Sequence, residues 1–277
     1  MAWKKVLYEK QAYADNYVEP EQFLDGLRKN LYTKTYTLGE LILSSIVVSV
    51  QLSCVCLFVG VYWYIQEGWL YPLTLFTSST ALTALGYILT TPLTTITGAS
   101  GVVRDQFVPS LLFVLFLAGV SPILRTLTES ISTDTIWAMT VGMMATHLVF
   151  HNYGSEDGRA SRAISLNAAI FGSVCLASRL PSALGAFVVV MFAVQLFALV
   201  PQLRARGRVM TPYCTIFLLG LLMGISLPVI ISISIPAAVL YLLSVSTVNI
   251  LCPLWLHRLQ HLKNTIHGPW DEAVLQT

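Results

Sequence analysis

Long apolar stretches separated by short polar breaks make up most of the chain. A helix needs about 17–25 apolar residues to cross the roughly 30 Å hydrocarbon core of a bilayer, because it rises about 1.5 Å per residue. Charged residues mark most of the breaks. The pattern predicts eight transmembrane helices, at residues 41–64, 73–90, 108–124, 135–150, 163–178, 184–200, 214–231 and 237–256.

The last break has no charge to mark it. Between Val209 and Leu256 the chain carries no Asp, Glu, Lys or Arg, and as one helix this stretch would be about 70 Å long. Pro228 and Pro236 enclose the sequence VIISISI, and proline breaks or kinks a helix. We therefore predict a tight hairpin between the two prolines, and two crossings rather than one.

A shorter amphipathic pattern precedes the first span. In the sequence EPEQFLDGLRKNLY, the apolar residues Phe23, Leu27 and Leu31 recur at every fourth position, as on one face of a helix. We predict an interfacial helix that turns Arg28 and Lys29 toward anionic headgroups. A docking helix for a cytoplasmic partner is the alternative.

Composition identifies the solvent around these helices. The 277 residues are 55% hydrophobic and only 11% charged, with a mean hydropathy of +0.70, whereas soluble domains carry about 25% charged residues. The expected fold is an all-α, polytopic membrane helix bundle. The net charge of +2 and the lack of a basic stripe with interleaved aromatics argue against nucleic-acid binding.

Lysine and arginine set the orientation of the bundle. Fourteen of the 16 Lys and Arg residues fall in the two tails and in the loops around Arg104, Arg159 and Arg206, while Arg125 and Arg179 fall on the other side. Cytoplasmic loops are enriched in these residues. We predict a cytoplasmic amino-terminal tail with an interfacial helix at residues 1–40, a transmembrane bundle at 41–256 and a cytoplasmic carboxy-terminal tail at 257–277.

Few residues suggest a catalytic, ion-coupling or metal-binding role. The chain has no phosphate-binding glycine loop and no nucleophile elbow, and its spans lack the ionisable groups that couple ions to transport. His147 and His151 have the spacing of two metal ligands on one helix face. Without a second ligand pair, they are more simply interpreted as interfacial side chains, and no metal is predicted.

Polar residues inside the spans are expected to connect helices. Hydrogen bonds between helices are the simplest role for Gln51, Asn167, Gln195 and Asn249. The glycines of the sequence GLLMG, Gly220–Gly224, suggest close helix packing.

The sequence SPILRTLTESISTDTI is unusually polar for a segment that lies between two spans. On the lumenal side it would be far from cytoplasmic chemistry, and Ser132, Thr133 or Asp134 is expected to cap the following helix. A structural clasp is the favoured interpretation, and a surface for another subunit or a lipid or catalytic site are the alternatives. The clasp candidates are Arg125, Glu129, Asp134, Asn167 and Arg179.

Six segments carry a resemblance to a known family. They are WKKVLYE and DNYV in the tail, SPILRTLTESISTDTI, SLNAAIFGSVCLASRLP, FALVP and the terminal NTIHGPWDEA. In the same order, from Trp3 to Ala273, they resemble segments of the C subunit of the phosphatidylinositol N-acetylglucosaminyltransferase complex. The cytoplasmic loops at 91–106, 155–162 and 202–211 depart from the family pattern, and His151 stands where an aromatic residue is expected.

The resemblance implies a subunit of a complex in the endoplasmic reticulum membrane. That complex transfers N-acetylglucosamine from UDP-GlcNAc to phosphatidylinositol on the cytoplasmic face, the first step of glycosylphosphatidylinositol anchor synthesis. In the family, sugar transfer belongs to a different, glycosyltransferase-fold subunit, so neither a catalytic residue nor a cofactor is assigned to this chain. Its expected partners are that catalytic subunit, other membrane subunits and the phosphatidylinositol-containing membrane.

The tails are the expected docking elements of such a scaffold. Holding a catalytic partner at headgroup level lowers a reaction barrier through proximity. The docking candidates are Trp3, Tyr8, Tyr17, Phe23, Leu27, His267, Trp270 and Asp271. A lipid or headgroup transporter that acts on its own is the alternative function, and a free-standing membrane enzyme is a second one.

Overall fold

The computed structural model shows a mostly helical chain. It describes residues 10, 12, 17, 27–30, 35–90, 114–115, 117–119, 122–123, 131–154, 159–210 and 213–268. The helices are α1 (Leu38–Gln66), α2 (Pro72–Thr90), α3 (Thr133–Phe150), α4 (Arg159–Ala177), α5 (Ala183–Val194), α6 (Val200–Met210), α7 (Cys214–Ile233), α8 (Ile235–Ser246) and α9 (Cys252–Leu259). Two π-helical turns, Gln195–Leu199 and Thr247–Leu251, connect α5 to α6 and α8 to α9 without a break. The short strands β1 (Arg28–Lys29) and β2 (Ile266–His267) form one antiparallel pair.

Six helices among the described residues are long and apolar enough to cross a membrane, which indicates a membrane protein. They are Leu38–Gln66, Pro72–Leu89, Ala160–Ala177, Ala183–Gly207, Cys214–Ile233 and Ile235–Leu262. Each corresponds to a predicted span. The predicted span at 135–150 forms helix α3, which is not among the six. Most of the predicted span at 108–124 lies outside the described residues.

The last two crossings are separated by a sharper turn than predicted. Pro228 lies inside α7, so the prediction that it marks one edge of a hairpin is wrong. The chain reverses at Ser234, whose extended backbone ends α7 and whose Oγ accepts a hydrogen bond from the backbone N–H of Ala237 at 3.4 Å. Serine at this position caps α8, and Pro236 fits its first turn because the N–H that proline lacks has no helical partner there.

The helix predicted in the amino-terminal tail is wrong where it can be tested. Arg28–Lys29 are extended, and Asn30 has a φ of 60°, which ends any helix at that point. The reason is pairing with a distant segment, since the backbone of β1 bonds to β2 instead of to its own neighbours. Phe23 and Leu31 lie outside the described residues.

The chain divides into two compact units. One contains Met1–Leu41 and Leu254–Thr277, the two tails together, and the other contains Ile42–Pro253. In the second unit α1 contributes to the core, and its Phe58 and Tyr62 are almost fully buried. Phe58 packs edge-on against Phe197 with 5.5 Å between ring centroids, and Tyr62 packs against Trp137 at 5.8 Å. In lipid such packing stabilises a bundle mainly through van der Waals contact, because lipid tails are as apolar as the side chains.

Glycine permits a close helix contact at Gly60, away from the predicted pair. A Cβ at Gly60 of α1 would lie 2.5 Å from Val229 Cγ1 of α7, too close for any larger residue without movement. At Gly220 and Gly224, no heavy atom of another described helix lies within 4 Å of the position that a Cβ would take. The pair therefore packs no described helix of this chain, and its packing against the helix of another subunit stays a prediction.

Candidate functional site

The two tails, although far apart in sequence, are held together by backbone pairing. Arg28 pairs with His267 and Lys29 with Ile266 in an antiparallel register. Backbone bonds of this kind do not depend on side-chain identity, so amphipathic patterns do not reveal them. We call the described residues 27–30, 35–41 and 254–268 the tail unit.

Asn30 extends the pairing through both its backbone and its side chain. Its N–H donates to the carbonyl oxygen of Thr265 at 2.7 Å, and its Oδ1 accepts from the Thr265 N–H at 2.9 Å. Its Nδ2 donates to Asn264 Oδ1 at 3.3 Å. Asparagine tolerates a positive φ better than most residues, because its short side chain bonds locally. Asn30 therefore turns the chain and fastens it to the opposite tail.

A second contact secures the start of α1. The side chain of Gln260 bonds both backbone groups of Tyr36, and Thr37 and Glu40 form a reciprocal cap. The Thr37 N–H donates to Glu40 Oε2 at 2.9 Å, and the Glu40 N–H donates to Thr37 Oγ1 at 3.4 Å. This is the capping box that the spacing Thr-x-x-Glu encodes. The predicted start of the first span, at residue 41, lies just after this box, because apolar content alone does not register a cap.

Two of the docking candidates lie at or beside the paired strands. Leu27 directly precedes β1, and His267 lies in β2, so the structure brings these two candidates into one unit. Tyr17 is 38% exposed. The candidates Trp3, Tyr8, Phe23, Trp270 and Asp271 lie outside the described residues. Sequence reasoning missed Asn30, Tyr36, Gln260 and Asn264, because each acts through a partner more than 200 residues away.

The predicted lumenal clasp is described in part. The Arg179 guanidinium donates to the backbone carbonyl of Ile131, which joins the end of α4 to the segment before α3. Ser132 caps α3 by accepting from the Thr135 N–H at 3.3 Å, as one of the predicted alternatives states. Asp134 is exposed in the first turn of α3. Arg125 and Glu129 lie outside the described residues, and pairing of Arg179 with Glu129 or Asp134 stays a prediction.

A buried polar network connects α1, α3 and α4. His147 Nε2 lies 2.6 Å from Gln51 Nε2, and His147 Nδ1 lies 2.9 Å from the Ser165 carbonyl oxygen. The Gln51 amide nitrogen can only donate, so Nε2 accepts and Nδ1 carries the hydrogen. Ser165 Oγ donates to the His147 carbonyl at 3.0 Å. Both ring nitrogens of His147 are thus used within the protein, which makes it a structural residue rather than a metal ligand.

His151 continues this network toward the end of α3. Its ring lies 5.5 Å from that of His147 and 5.0 Å from that of Tyr153. Burial is the main cause that lowers the pKa of His151 to about 4, with smaller contributions from His147, Arg204 and Arg162. Burial raises the pKa of Tyr153 to about 12. His151 is therefore neutral near pH 7. Among the described residues, no three His, Cys, Asp or Glu side chains are grouped to hold a metal.

Arginines and aromatic rings gather at this end of the helices. Arg204 and Arg162 act electrostatically on His151, and the Cζ atom of Arg206 lies 4.7 Å from the ring centre of Tyr87. A cation placed over an aromatic face is attracted by the ring. We call Arg162 and Arg204, with His151 and Tyr153, the arginine cluster. Its chemistry suits an anionic group at the membrane surface.

Comparison with known proteins gives a consistent result over the whole chain. Residues 3–271 match the phosphatidylinositol N-acetylglucosaminyltransferase family. The C subunits of this transferase from Bos taurus and Homo sapiens are each 44% identical over 280 residues, covering 99% of this chain and 93% of theirs. The GPI2 subunit of Schizosaccharomyces pombe is 36% identical over 285 residues, covering 98% and 86%. No solved structure matches. The chain therefore belongs to the family of the phosphatidylinositol N-acetylglucosaminyltransferase C subunit.

Proposed function

We propose that this chain is a non-catalytic membrane subunit of the complex that transfers N-acetylglucosamine from UDP-GlcNAc to phosphatidylinositol, the first step of glycosylphosphatidylinositol anchor synthesis. It holds the catalytic subunit through its tail unit, in the endoplasmic reticulum membrane. The observation that carries this proposal is the backbone pairing of β1 with β2, which makes one surface from both ends of the chain. The names of its relatives, which describe a transferase subunit, support the reaction.

The pairing also supports an even number of membrane crossings. Strands β1 and β2 can bond only if both tails lie on the same side of the membrane. The basic residues of the tails favour the cytosol as that side. The six apolar helices give an even number of crossings. If α3 also crosses the membrane, the number becomes odd, and one further crossing is needed.

Two contacts at opposite ends of the bundle support that further crossing. Tyr87 at the end of α2 contacts Arg206 of α6, and Ile131 before α3 contacts Arg179, which lies before α5. The continuous α5–α6 helix separates Arg179 from Arg206 by about the thickness of a bilayer. Tyr87 and Ile131 thus lie at opposite ends, which favours a span at 108–124 and eight crossings in all.

The arginine cluster supports a second part of the proposal, which is positioning of the lipid acceptor. With the tails in the cytosol, the ends of α2, α3 and α6 also face the cytosol. Arg204 and Arg206 are then at the level of the phosphate of phosphatidylinositol, and guanidinium groups bind phosphate through paired hydrogen bonds. The cluster would hold the lipid by its phosphate, on the same side of the membrane as the tails.

Co-purification of the intact assembly tests the scaffold role. Deletion of residues 1–30 removes β1 and is expected to leave an inserted chain that no longer recovers the catalytic subunit in mild detergent. The matched control is Thr146→Val, which keeps both tails and removes only a hydrogen bond within one helix. Normal recovery of the catalytic subunit by the deleted chain would contradict the proposal, as would phosphatidylinositol transport by vesicles that contain this chain alone.

A further inference from the structure

Asn167 is an exposed amide near the middle of a membrane-spanning helix. It lies midway along the 19-residue helix α4, whose segment Ala160–Ala177 is long and apolar enough to cross a membrane. Its side chain is exposed on the outside of the chain. No hydrogen bond joins it to any residue within the described ranges, although the sequence predicts a bond between helices there.

The other three polar residues of this kind all bond to partners within the chain. Gln51 bonds to His147, Gln195 Nε2 donates to Thr80 Oγ1 at 3.1 Å, and Asn249 Oδ1 accepts from Ser45 Oγ at 3.3 Å. An amide placed in hydrocarbon without a partner costs several kcal/mol of transfer free energy. Facing lipid is therefore an unfavourable environment for Asn167, and a partner from outside the chain would relieve that cost.

The residues around Asn167 form a surface that fits a helix. Ala160, Ile164 and Phe171 are exposed on the same side of α4. With Asn167 they follow the spacing four, three, four, which is the repeat of helices that pack side by side at a shallow crossing angle. Ala163 beside them is also exposed and small, so a second backbone can approach closely.

We infer that this face of α4, formed by Ala160, Ile164, Asn167 and Phe171, binds a transmembrane helix of another subunit that offers a hydrogen-bonding side chain at mid-bilayer depth. The inference rests on the proposed function only in that it requires an assembly of several subunits. A polar residue with exposed apolar neighbours specifies such a helix, because hydrogen bonding fixes the depth and the apolar residues supply the contact area. Lipid alone would leave the amide unpaired.

The substitution Asn167→Leu tests the inference through two opposite effects. In the purified chain alone, the variant is expected to be at least as stable as the wild type in thermal unfolding, because an unpaired amide is replaced by an apolar side chain. In the complex, recovery of the bound membrane subunit is expected to fall about threefold, the effect of one interhelical hydrogen bond of about 0.6 kcal/mol. Asn167→Gln, which keeps the amide, is expected to restore recovery.

A photo-crosslinking residue identifies the occupant directly. Placed at position 167 in the intact complex, it is expected to form an adduct with a different subunit, whereas the same residue at Leu240, exposed on α8, serves as the control. Adducts with lipid only or with a second copy of this chain would overturn the inference, and so would a loss of stability of the isolated Asn167→Leu chain. If the wild-type chain recovers no subunit at all, the proposed function fails instead.

Discussion

Gln260 bonds to both backbone groups of Tyr36, a residue 224 positions earlier in the chain. The Tyr36 N–H donates to Gln260 Oε1 at 2.6 Å, and Gln260 Nε2 donates to the Tyr36 carbonyl at 2.9 Å. The Gln260 side chain thus makes the two backbone hydrogen bonds that a neighbouring strand would make. It joins the two tails between the β1–β2 pair and the start of α1. The contact fixes the two tails at the point where each joins its helix.

Loss of this contact is expected to loosen the tail unit and leave the bundle folded. Gln260→Ala removes the two exposed hydrogen bonds to Tyr36 and a third to His257 Nδ1, each worth about 0.5–1.5 kcal/mol. We expect faster proteolysis of both tails and lower recovery of the catalytic subunit, with unchanged abundance of the chain in membranes. Limited proteolysis followed by immunoblotting measures the first effect. The control is His261→Ala, an exposed neighbour in the same turn, and equal cleavage of the two variants would argue against the contact.

The buried network around His147 is expected to contribute to the stability of the bundle. Gln51→Leu leaves Nε2 of the fully buried His147 without its donor, which costs about 1–3 kcal/mol. Thermal unfolding in detergent should show the loss. Thr146→Val is the matched control on α3, because the Thr146 hydroxyl bonds only to a carbonyl of its own helix. Similar melting temperatures for both variants would contradict a stabilising role for the network.

Acid is expected to destabilise the chain through His151. The folded pKa of about 4 lies below the ordinary value of 6.5, so between these pH values the unfolded chain binds more protons than the folded one. The contribution of neutral His151 is therefore complete above about pH 6.5 and is lost as pH falls toward 4. The His151→Phe variant should lose less stability between pH 7 and pH 4.5 than the wild type.

The comparison needs an exposed histidine as its control. His261→Phe should retain the acid sensitivity of the wild type, because His261 lies on the surface. Melting curves over the pH series measure both variants. An unchanged pH profile in His151→Phe would show that His151 is not the group responsible.

Arg179 is expected to act in folding rather than in turnover. Its guanidinium holds the carbonyl of Ile131, and a hydrogen bond to a charged group contributes about 1.5–3 kcal/mol. Arg179→Ala should lower the amount of folded protein in membranes while the activity of each assembled complex is unchanged. Quantitative blotting combined with transferase assays separates the two quantities. Normal abundance with lost activity would indicate a functional site around Arg179.

The spans were predictable because they depend on local composition. A run of apolar residues identifies a helix in lipid without any knowledge of its neighbours, and the helices α1, α2, α4, α7 and α8 begin within four residues of their predicted starts. The cap at Ser132 was predictable for the same reason, since a cap bonds to its own helix. Pro228 was misleading because a proline inside a membrane helix is tolerated more readily than in water.

Contacts between distant residues were not predictable. Nothing near Arg28 in the sequence indicates His267, and the helical pattern of Phe23, Leu27 and Leu31 pointed to a different structure. The contacts of Asn167 were not predictable either. Its residue type predicts a bond between helices, but only the fold shows that Gln51, Gln195 and Asn249 find partners within the chain and that Asn167 faces outward.

The location of the two tails is the claim on which the scaffold role depends most directly. Single cysteines in place of Lys10 and Lys263, both exposed in the tails, can be tested in sealed microsomes with a membrane-impermeant maleimide. We expect both to react from outside, while a cysteine in place of Glu67, after α1, reacts only once the membrane is opened. Protection of either tail, or reaction at position 67 in sealed vesicles, would contradict the cytosolic tail unit.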